Sequence, residues 1–403
     1  MLVTDDEVHA PEVRAAWETM LHDNNIDLLF QSPVWFDHLR ATDHHAQTVL
    51  AVLEQPQGGD IVGIVPLRLA KYSLRYDVGG HLLWRDALNA ASILGSLPFL
   101  PHDENALSAL CAAVQKSYPK CQGFIFNSVP IEHPLWELLH RLKEVSNENR
   151  LVSHRIVGVY RHHLIRLPET FADYMARFKG SSRKGFRRQL RTFQDQPGAA
   201  SALIRVELPE QVDDFLEKAA GVSRKSWQHA RLGTRFDSSP AQRSKLRDLA
   251  ERGVLRAYLL SHGETPCAFS LGYQYRDMFH DFEVGYDQDF AHLSPGTVLF
   301  LRMIKDLIQH HSPRFYNFGL GDAPYKANFS SEWHEAASLF LVRDTLGNRL
   351  RVALHGVFLW SRGWLERGRA AYKSILLKTS LYSFVQVFLA PVTALQECPI
   401  PPF

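Results

Sequence analysis

Residues 254–300 read VLRAYLLSHGETPCAFSLGYQYRDMFHDFEVGYDQDFAHLSPGTVLF. Three runs within it, VLRAYLLSH (254–262), CAFSLGYQY (267–275) and MFHDFEVGYD (278–287), are rich in aliphatic and aromatic residues and are separated only by GETP and RD. Links that short join antiparallel neighbours, so the runs predict a three-stranded meander. Ser294-Pro295-Gly296 then opens a helix over 297–311, and a strand, RFYNFGLG (314–321), follows. A meander feeding a strand–loop–helix–strand unit is an α+β arrangement.

Working outward, RHHLIRL (161–167), SALIRVEL (201–208) and ASLFLVRD (337–344) read as strands, and 169–178, 181–194, 209–227 and 241–252 as helices. The first 150 residues use the same elements. Helices are expected over 5–23 and 33–42, the second with Ser32 as N-cap and Pro33 at its first position. QTVLAVLE and DIVGIVPLRLA, split by QPQGGD, predict a hairpin; a helix over 105–117, a buried strand GFIFNSV and a helix over 133–145 follow. No short-period repeat is present. A chain of 403 residues is long enough for two domains, expected at 1–160 and 161–348 with a basic, amphipathic helical tail over 349–403.

Composition excludes several classes. Apolar residues at 45% and charged ones at 22% are globular values and rule out disorder, collagen and coiled coil. Forty-five basic against 43 acidic residues leave no global field for nucleic acid. The four cysteines lie far apart without a CxxC pair, which fits a reducing compartment, and the acidic N-terminus has no apolar signal region; both point to the cytoplasm. Residues 375–395 are apolar but interrupted by Lys378, Gln386 and Pro391, so they are read as not spanning a membrane. The preceding WSRGWLERGRAAYK is basic and aromatic, as on an interfacial helix. Residues 351–395 are therefore either a helix docked on the body or a peripheral contact with the inner face of the membrane.

Three places can carry chemistry. At the start of the helix after the meander, Ser294 can cap, Pro295 fixes φ and Gly296 lets a ligand approach the backbone, so the amides around Ser294–Thr297 suit a phosphate. The open stretch 314–329 carries Gly319, Gly321, Asp322, Tyr325 and Lys326 at a strand end, where Lys326 can hold a phosphate or polarise a carbonyl. In KGSSRKGFRRQLR (179–191), Arg183, Arg187 and Arg191 share one helical face with Lys184 and Arg188 beside them. Such a cluster binds phosphates or is a solvated basic face. Strand alternation sets Asp281, Glu283 and Asp287 on one face, a source for a general base, and His280, Phe282 and Tyr286 on the other. The histidine pairs lack metal-binding spacing, and no metal is expected; GxSxG, Walker A and GxGxxG motifs are absent.

Together, Tyr286-Asp287, Ser294-Pro295-Gly296, Tyr316, Phe318-Gly319, Gly321, Tyr325-Lys326 and Phe329, with Ser182-Arg183, Arg187-Arg188 and, near the start, Ser32-Pro33 and Trp35, resemble the BioF2-like acetyltransferases of the GNAT superfamily. That branch includes CelD-like proteins and is related to the FemAB peptidyltransferases. The resemblance covers about residues 165–345. It implies tandem GNAT-like folds whose second copy binds acyl-CoA, with pyrophosphate on the amides of Ser294, Pro295, Gly296 and Thr297 and with Arg183, Arg187 and Arg188 nearby. Of the usual Q/R-x-x-G-x-G/A loop only Gly296 is kept, and Asn317 stands where an aspartate is expected before Phe-Gly. The expected catalytic group is Glu283, Asp287, Lys326 and Tyr325, with Asp281, Asp322 and Trp227 on the acceptor.

The function so implied is N-acyl transfer from acyl-CoA, as co-substrate, to a small amine such as an amino sugar or amino-acid-like metabolite of envelope or polysaccharide biosynthesis. Aminoacyl transfer from tRNA, as in FemAB relatives, and a non-catalytic scaffold at the membrane are the alternatives.

Overall fold

The computed structural model describes residues 2–378 apart from 4–6, 24–27, 56–58, 79–80, 143, 147–148, 157, 196–200, 227–235, 320 and 322. In the first half, β1 (Leu2–Val3), α1 (Pro11–Asp23) and α2 (Pro33–Thr42) lead to a meander of β2 (Gln47–Glu54), β3 (Ile61–Val78) and β4 (His81–Ile93). Helix α3 (Glu104–Ser117) returns the chain to β5 (Gly123–Pro130), followed by α4 (Pro134–Arg141), β6 (Glu144–Ser146) and β7 (Asn149–Arg155). The second half runs β8 (Tyr160–Arg166), α5 (Phe171–Ala176), α6 (Gly180–Gln194), β9 (Ser201–Val206), α7 (Val212–Arg224) and α8 (Pro240–Glu251). The predicted meander follows as β10 (Leu255–His262), β11 (Thr265–Tyr275) and β12 (Met278–Tyr286). Then come α9 (Pro295–Asp306), β13 (Phe315–Asn317), α10 (Pro324–Phe329), β14 (Glu332–Arg343) and α11 (Leu346–Lys378).

All strands join one mixed sheet whose main path is β1-β2-β3-β4-β5-β14-β8-β13-β12-β11-β10-β9. The same order of elements occurs twice. An antiparallel meander is followed by a helix and by a strand parallel to the last meander strand: β4 with β5 across α3, and β12 with β13 across α9. The duplication that the sequence lacks is thus present as topology. β14 is the joint, pairing with β8 through Glu332–Ala336 and with β5 through Ala336–Val342. Its Leu339 and Leu341 lie in the core under α3. Helix α2 crosses the other way, setting Trp35 and Leu39 against Phe215 and Leu246 of α7 and α8. Chain position 160 therefore separates two sets of strands but not two separate cores.

Several element boundaries move. The second hairpin strand continues to Val78, and the strand after it, His81–Ile93, has no counterpart among the predicted elements. Leu82, Leu83 and Trp84 are exposed at its start, so burial does not impose an in–out alternation there. The helix expected over 133–145 ends at Arg141, where Leu142 turns to extended backbone. The stretch 314–329, expected to be open, closes into α10 at Pro324. Ser32 caps α2 as expected, its side chain accepting from the Trp35 amide.

Candidate acyl-transfer site

Strand β12 decides the site because it is not regular. The ladder with β11 pairs Leu271 with Glu283 and Gly272 with Asp281, so Phe282 is an extra residue with no opposite number. A bulge of this kind leaves its residue outside the hydrogen-bonded pairs and reverses the facing of the residues beyond it. Asp281, Glu283 and Asp287 therefore do not share a face, contrary to simple alternation. Asp281 lies on the α9 side, beside Tyr316 and Ser270. Glu283 lies on the opposite side, where its charge acts on the Tyr273 phenol. Tyr286 returns to the α9 side and packs with that core.

Beyond the bulge the sheet opens. β12 and β13 are parallel partners only at Met278–His280 with Phe315–Asn317; β12 then runs on to Tyr286 without β13 beside it. Asp281 is the first residue of that unpartnered edge and is 8% exposed. Its carboxylate accepts a hydrogen bond from Ser270 Oγ (3.2 Å). Burial pushes its pKa up to about 6, against the opposing pull of the Tyr316 hydroxyl, the Lys326 charge and Ser270. Tyr316 is held far above a normal phenol, first by burial and then by the Asp281 charge. Lys326 is buried beside Asp281, only 5% exposed. The preceding residue, Tyr325, faces outward with its ring 6.1 Å from Phe318.

Asn317 explains its own departure from the expected aspartate. Its Oδ1 accepts from the Gly319 amide (2.8 Å) and pairs with His162 Nε2 (2.7 Å). That holds Gly319 at φ +68°, where a side chain would also press on the Asp281 carbonyl oxygen at 3.1 Å. The neutral amide thus serves the turn that lets the chain pass Asp281.

The start of α9 lies at the end of the same edge. Ser294 occupies the N-cap position but makes no side-chain cap; it is left-handed (φ 55°, ψ 48°), and its Oγ accepts from Gln189 Nε2 at 3.3 Å. This corrects the expected Ser294 cap. Pro295 has no N–H, and the Val298 amide already bonds the Ser294 carbonyl. The amides of Gly296 and Thr297 belong to the first turn, whose donors have no intrahelical partner. No acidic side chain stands in that turn. A Cβ on Gly296 would meet the Tyr286 ring at 3.4 Å, so the glycine keeps clear the space beside that ring.

Helix α6 lies alongside, docked through Phe186, Leu190 and Phe193. Gln189 is the residue it sends to Ser294; Arg187 and Arg188 are exposed and Arg183 half-buried, on the outward side. Asp287 is 2% exposed and held in place: it accepts from Lys225 Nζ (2.9 Å) and caps the turn Gln288–Leu293 through the Asp289 amide (3.0 Å). Asp322 and Trp227 lie outside the described residues. Sequence reading missed Ser270, Tyr316 as a partner of Asp281, Gln189 and the bulge; only the non-alternating burial of β12 could have pointed to the last. Burial raises the thiol pKa of Cys111, Cys121 and Cys267, the last to about 12, which disfavours thiolate chemistry at these residues. An open groove of about 620 Å³, lined by Arg302, Lys305 and Asp306 among others, lies along the opposite end of α9 and holds none of these groups. Among the described residues no cluster of side chains could hold a metal ion.

Residues 180–327 match the acetyltransferase (GNAT) domain family. The matched segment runs from the start of α6 into α10. No curated protein matches the chain in sequence. Among solved structures it is similar to FemX (TM-score 0.57, 11% identity, covering 85% of this chain and 98% of that one). It is also similar to a tandem GNAT protein from the clavulanic acid biosynthesis pathway (TM-score 0.51, 11% identity, covering 85% and 97%). These likenesses are of fold, and they agree with the element order repeated in the sheet: an α+β protein of GNAT-like folds, with the segment similar to acetyltransferases in its second half.

Proposed function

We propose that the protein transfers an acyl group from acyl-CoA to an amine, in the manner of the BioF2-like branch of the GNAT superfamily. The observation that carries this reading is the parting of β12 from β13, which leaves buried Asp281 on an edge that leads to the uncapped start of α9. The amides of Gly296 and Thr297 receive the donor's pyrophosphate, where the helix dipole favours negative charge. The acyl chain lies along the open edge of β12, with the thioester carbonyl at the bulge, where the Phe282 N–H lies outside the ladder and can hold the developing oxyanion. Asp281, with a pKa near 6, takes the proton of the incoming ammonium. The amine nitrogen then bonds the acyl carbon. As the carbon–sulfur bond breaks, the nitrogen's second proton passes to the departing sulfur and CoA leaves as the thiol, while Asp281 returns its proton to solvent, so no covalent enzyme intermediate is required. Lys326 keeps the Asp281 carboxylate ionised between turnovers.

Glu283 stands on the opposite face and Asp287 is engaged with Lys225, so the proton-accepting role falls to Asp281 instead. Thermal-shift titration with acetyl-CoA, a long-chain acyl-CoA and a charged tRNA tests the donor. Acyl-CoA is expected to raise Tm; a shift with charged tRNA alone replaces this reading by aminoacyl transfer, and a shift with none of them overturns it.

A further inference from the structure

Helix α11 is docked by one side and apolar on the other. Its inward residues are held individually: His355 is 2% exposed, with Nδ1 against His154 Nε2 (2.8 Å) and Nε2 against the Arg75 carbonyl (3.2 Å). Arg351 pairs with Asp86 (2.9 Å), Arg362 with Asp77 (3.0 Å), and Phe358 packs on Tyr76. The outward residues Leu346, Leu350, Leu354, Val357, Trp360 and Trp364 recur every three or four positions and are 50% to 85% exposed. At helical spacing they form a single stripe opposite His355. At the start of β4, Leu82, Leu83 and Trp84 are exposed as well, Trp84 lying beside Tyr76 at 4.9 Å.

A stripe of exposed apolar side chains along the outside of a docked helix marks a contact site. Its charge says with what. α11 carries seven arginines and lysines against one acid, Glu366; Arg349, Arg351 and Arg362 pair with Asp344, Asp86 and Asp77, while Arg367, Arg369, Lys373 and Lys378 make the last third of the helix basic in sequence. Two copies meeting along this helix would bring like charges together, whereas a negatively charged surface would be attracted. No helix among the described residues is long and apolar enough to cross a membrane, so the helix lies on the surface rather than through it. We infer that the outer stripe of α11 is a docking face for an anionic lipid bilayer, with Trp360 and Trp364 entering the interface and the basic last third of the helix supplying the attraction to negatively charged headgroups.

The test is co-sedimentation of the full-length protein with phosphatidylcholine vesicles, with and without phosphatidylglycerol. The expected result is binding to the anionic vesicles, weakened by salt, and a loss of about tenfold or more in Trp360→Glu/Trp364→Glu. Both positions are exposed, so the variant should keep its Tm and its acetyl-CoA shift; Leu350→Ser/Leu354→Ser, a milder pair on the same stripe, guards against misfolding. Absence of binding by the full chain overturns the inference. It would mean that something else covers the stripe: a second copy if the protein is dimeric in solution, residues 379–403 if it is monomeric. Equal binding by wild type and both variants also overturns it, because the lipid contact would then lie elsewhere.

Discussion

The two halves of the sheet build the same unit and finish it differently. In the first, β4 pairs with β5 at Ala90–Ser92 and ends one residue later, and Gly123 at the start of β5 is covered by β14. The helix between them, α3, is plugged by its own sequence: Asp103 is an extended N-cap whose carboxylate accepts from the Ala106 amide (2.9 Å), and Glu104 adds a second negative charge to the first turn. In the second half, β12 runs on past its parallel pair, carries a bulge, and leads to a helix whose cap residue is left-handed and makes no cap bond. One copy therefore spends its helix dipole on its own aspartate, and the other leaves the same position open to a foreign anion. The half that matches the acetyltransferase family is the one with unfinished local structure.

The sharpest way to break this comparison is at Asp281, which has no ionisable counterpart in the closed pair β4–β5. Asp281→Asn should lower kcat/KM by on the order of 10²–10⁴-fold if the carboxylate takes the amine proton. In wild type kcat/KM should fall as pH drops through about 6, and the variant should lose that dependence. Stability supplies an independent sign. The folded pKa lies above the ordinary value of 3.8, so the carboxyl's contribution is complete below that value and is lost as pH rises through about 6. Asparagine should therefore stabilise the protein at pH 8, by at most about 3 kcal/mol, and not at pH 3.5. Lys326→Ala should move the activity break to higher pH, since its charge lowers the Asp281 pKa. A variant that keeps full activity and the same pH profile removes Asp281 from the chemistry.

The donor end of the open half is broken next. Gly296→Val places a branched side chain against the Tyr286 ring, 3.4 Å from the new Cβ, over the amides proposed to receive pyrophosphate. Acetyl-CoA affinity should fall about tenfold, or about 1.4 kcal/mol, measured by calorimetric titration, with acceptor KM little changed. The arginines should matter less. Gln189, not an arginine, reaches Ser294, and Arg187 and Arg188 face outward, so Arg187→Glu/Arg188→Glu should weaken the donor only about threefold at low salt and negligibly at high salt. Should the charge reversal abolish binding while Gly296→Val leaves it intact, the pyrophosphate sits on α6 and the open helix start is not the site.

How much of this could be read beforehand differs by level. The meander, the helix after it and the strand that follows were legible because Val, Leu, Phe and Tyr at 254–287 fill both buried faces and the links leave no choice of pairing. Asp281 was legible as a residue but not in its facing, because one extra residue at Phe282 reverses every later side chain and nothing local announces it. Ser294-Pro295-Gly296 announced a helix start correctly, yet the residue type also announced a cap that the left-handed backbone does not make. The burial of Lys326 was not legible, because burial of a lysine depends on tertiary partners, here Asp281 and the core around Phe329. The stripe on α11 was visible only as a mixture of tryptophan and arginine; which side faces the body is decided by His154, Asp77 and Asp86, far away in sequence.

The smallest effect compares the two helix starts directly. A serine at an N-cap usually contributes about 1 kcal/mol through its side-chain bond to the first turn. Ser294 makes no such bond; its one contact is the 3.3 Å bond from Gln189, so Ser294→Ala should change stability by less than about 0.5 kcal/mol. Asp103→Ala removes a cap bond of 2.9 Å and should cost about 1 kcal/mol. Glycine separates the two further. At φ 55° Ser294 already occupies backbone that favours glycine, so Ser294→Gly should hold or raise the Tm. Asp103, extended at φ −127°, gains nothing from glycine and loses its cap. Acetyl-CoA binding should survive Ser294→Gly, because the amides of Gly296 and Thr297 remain free. Equal losses at the two positions would mean that Ser294 caps α9 in solution, and that the first turn of the open half is satisfied from within, as it is in the closed one.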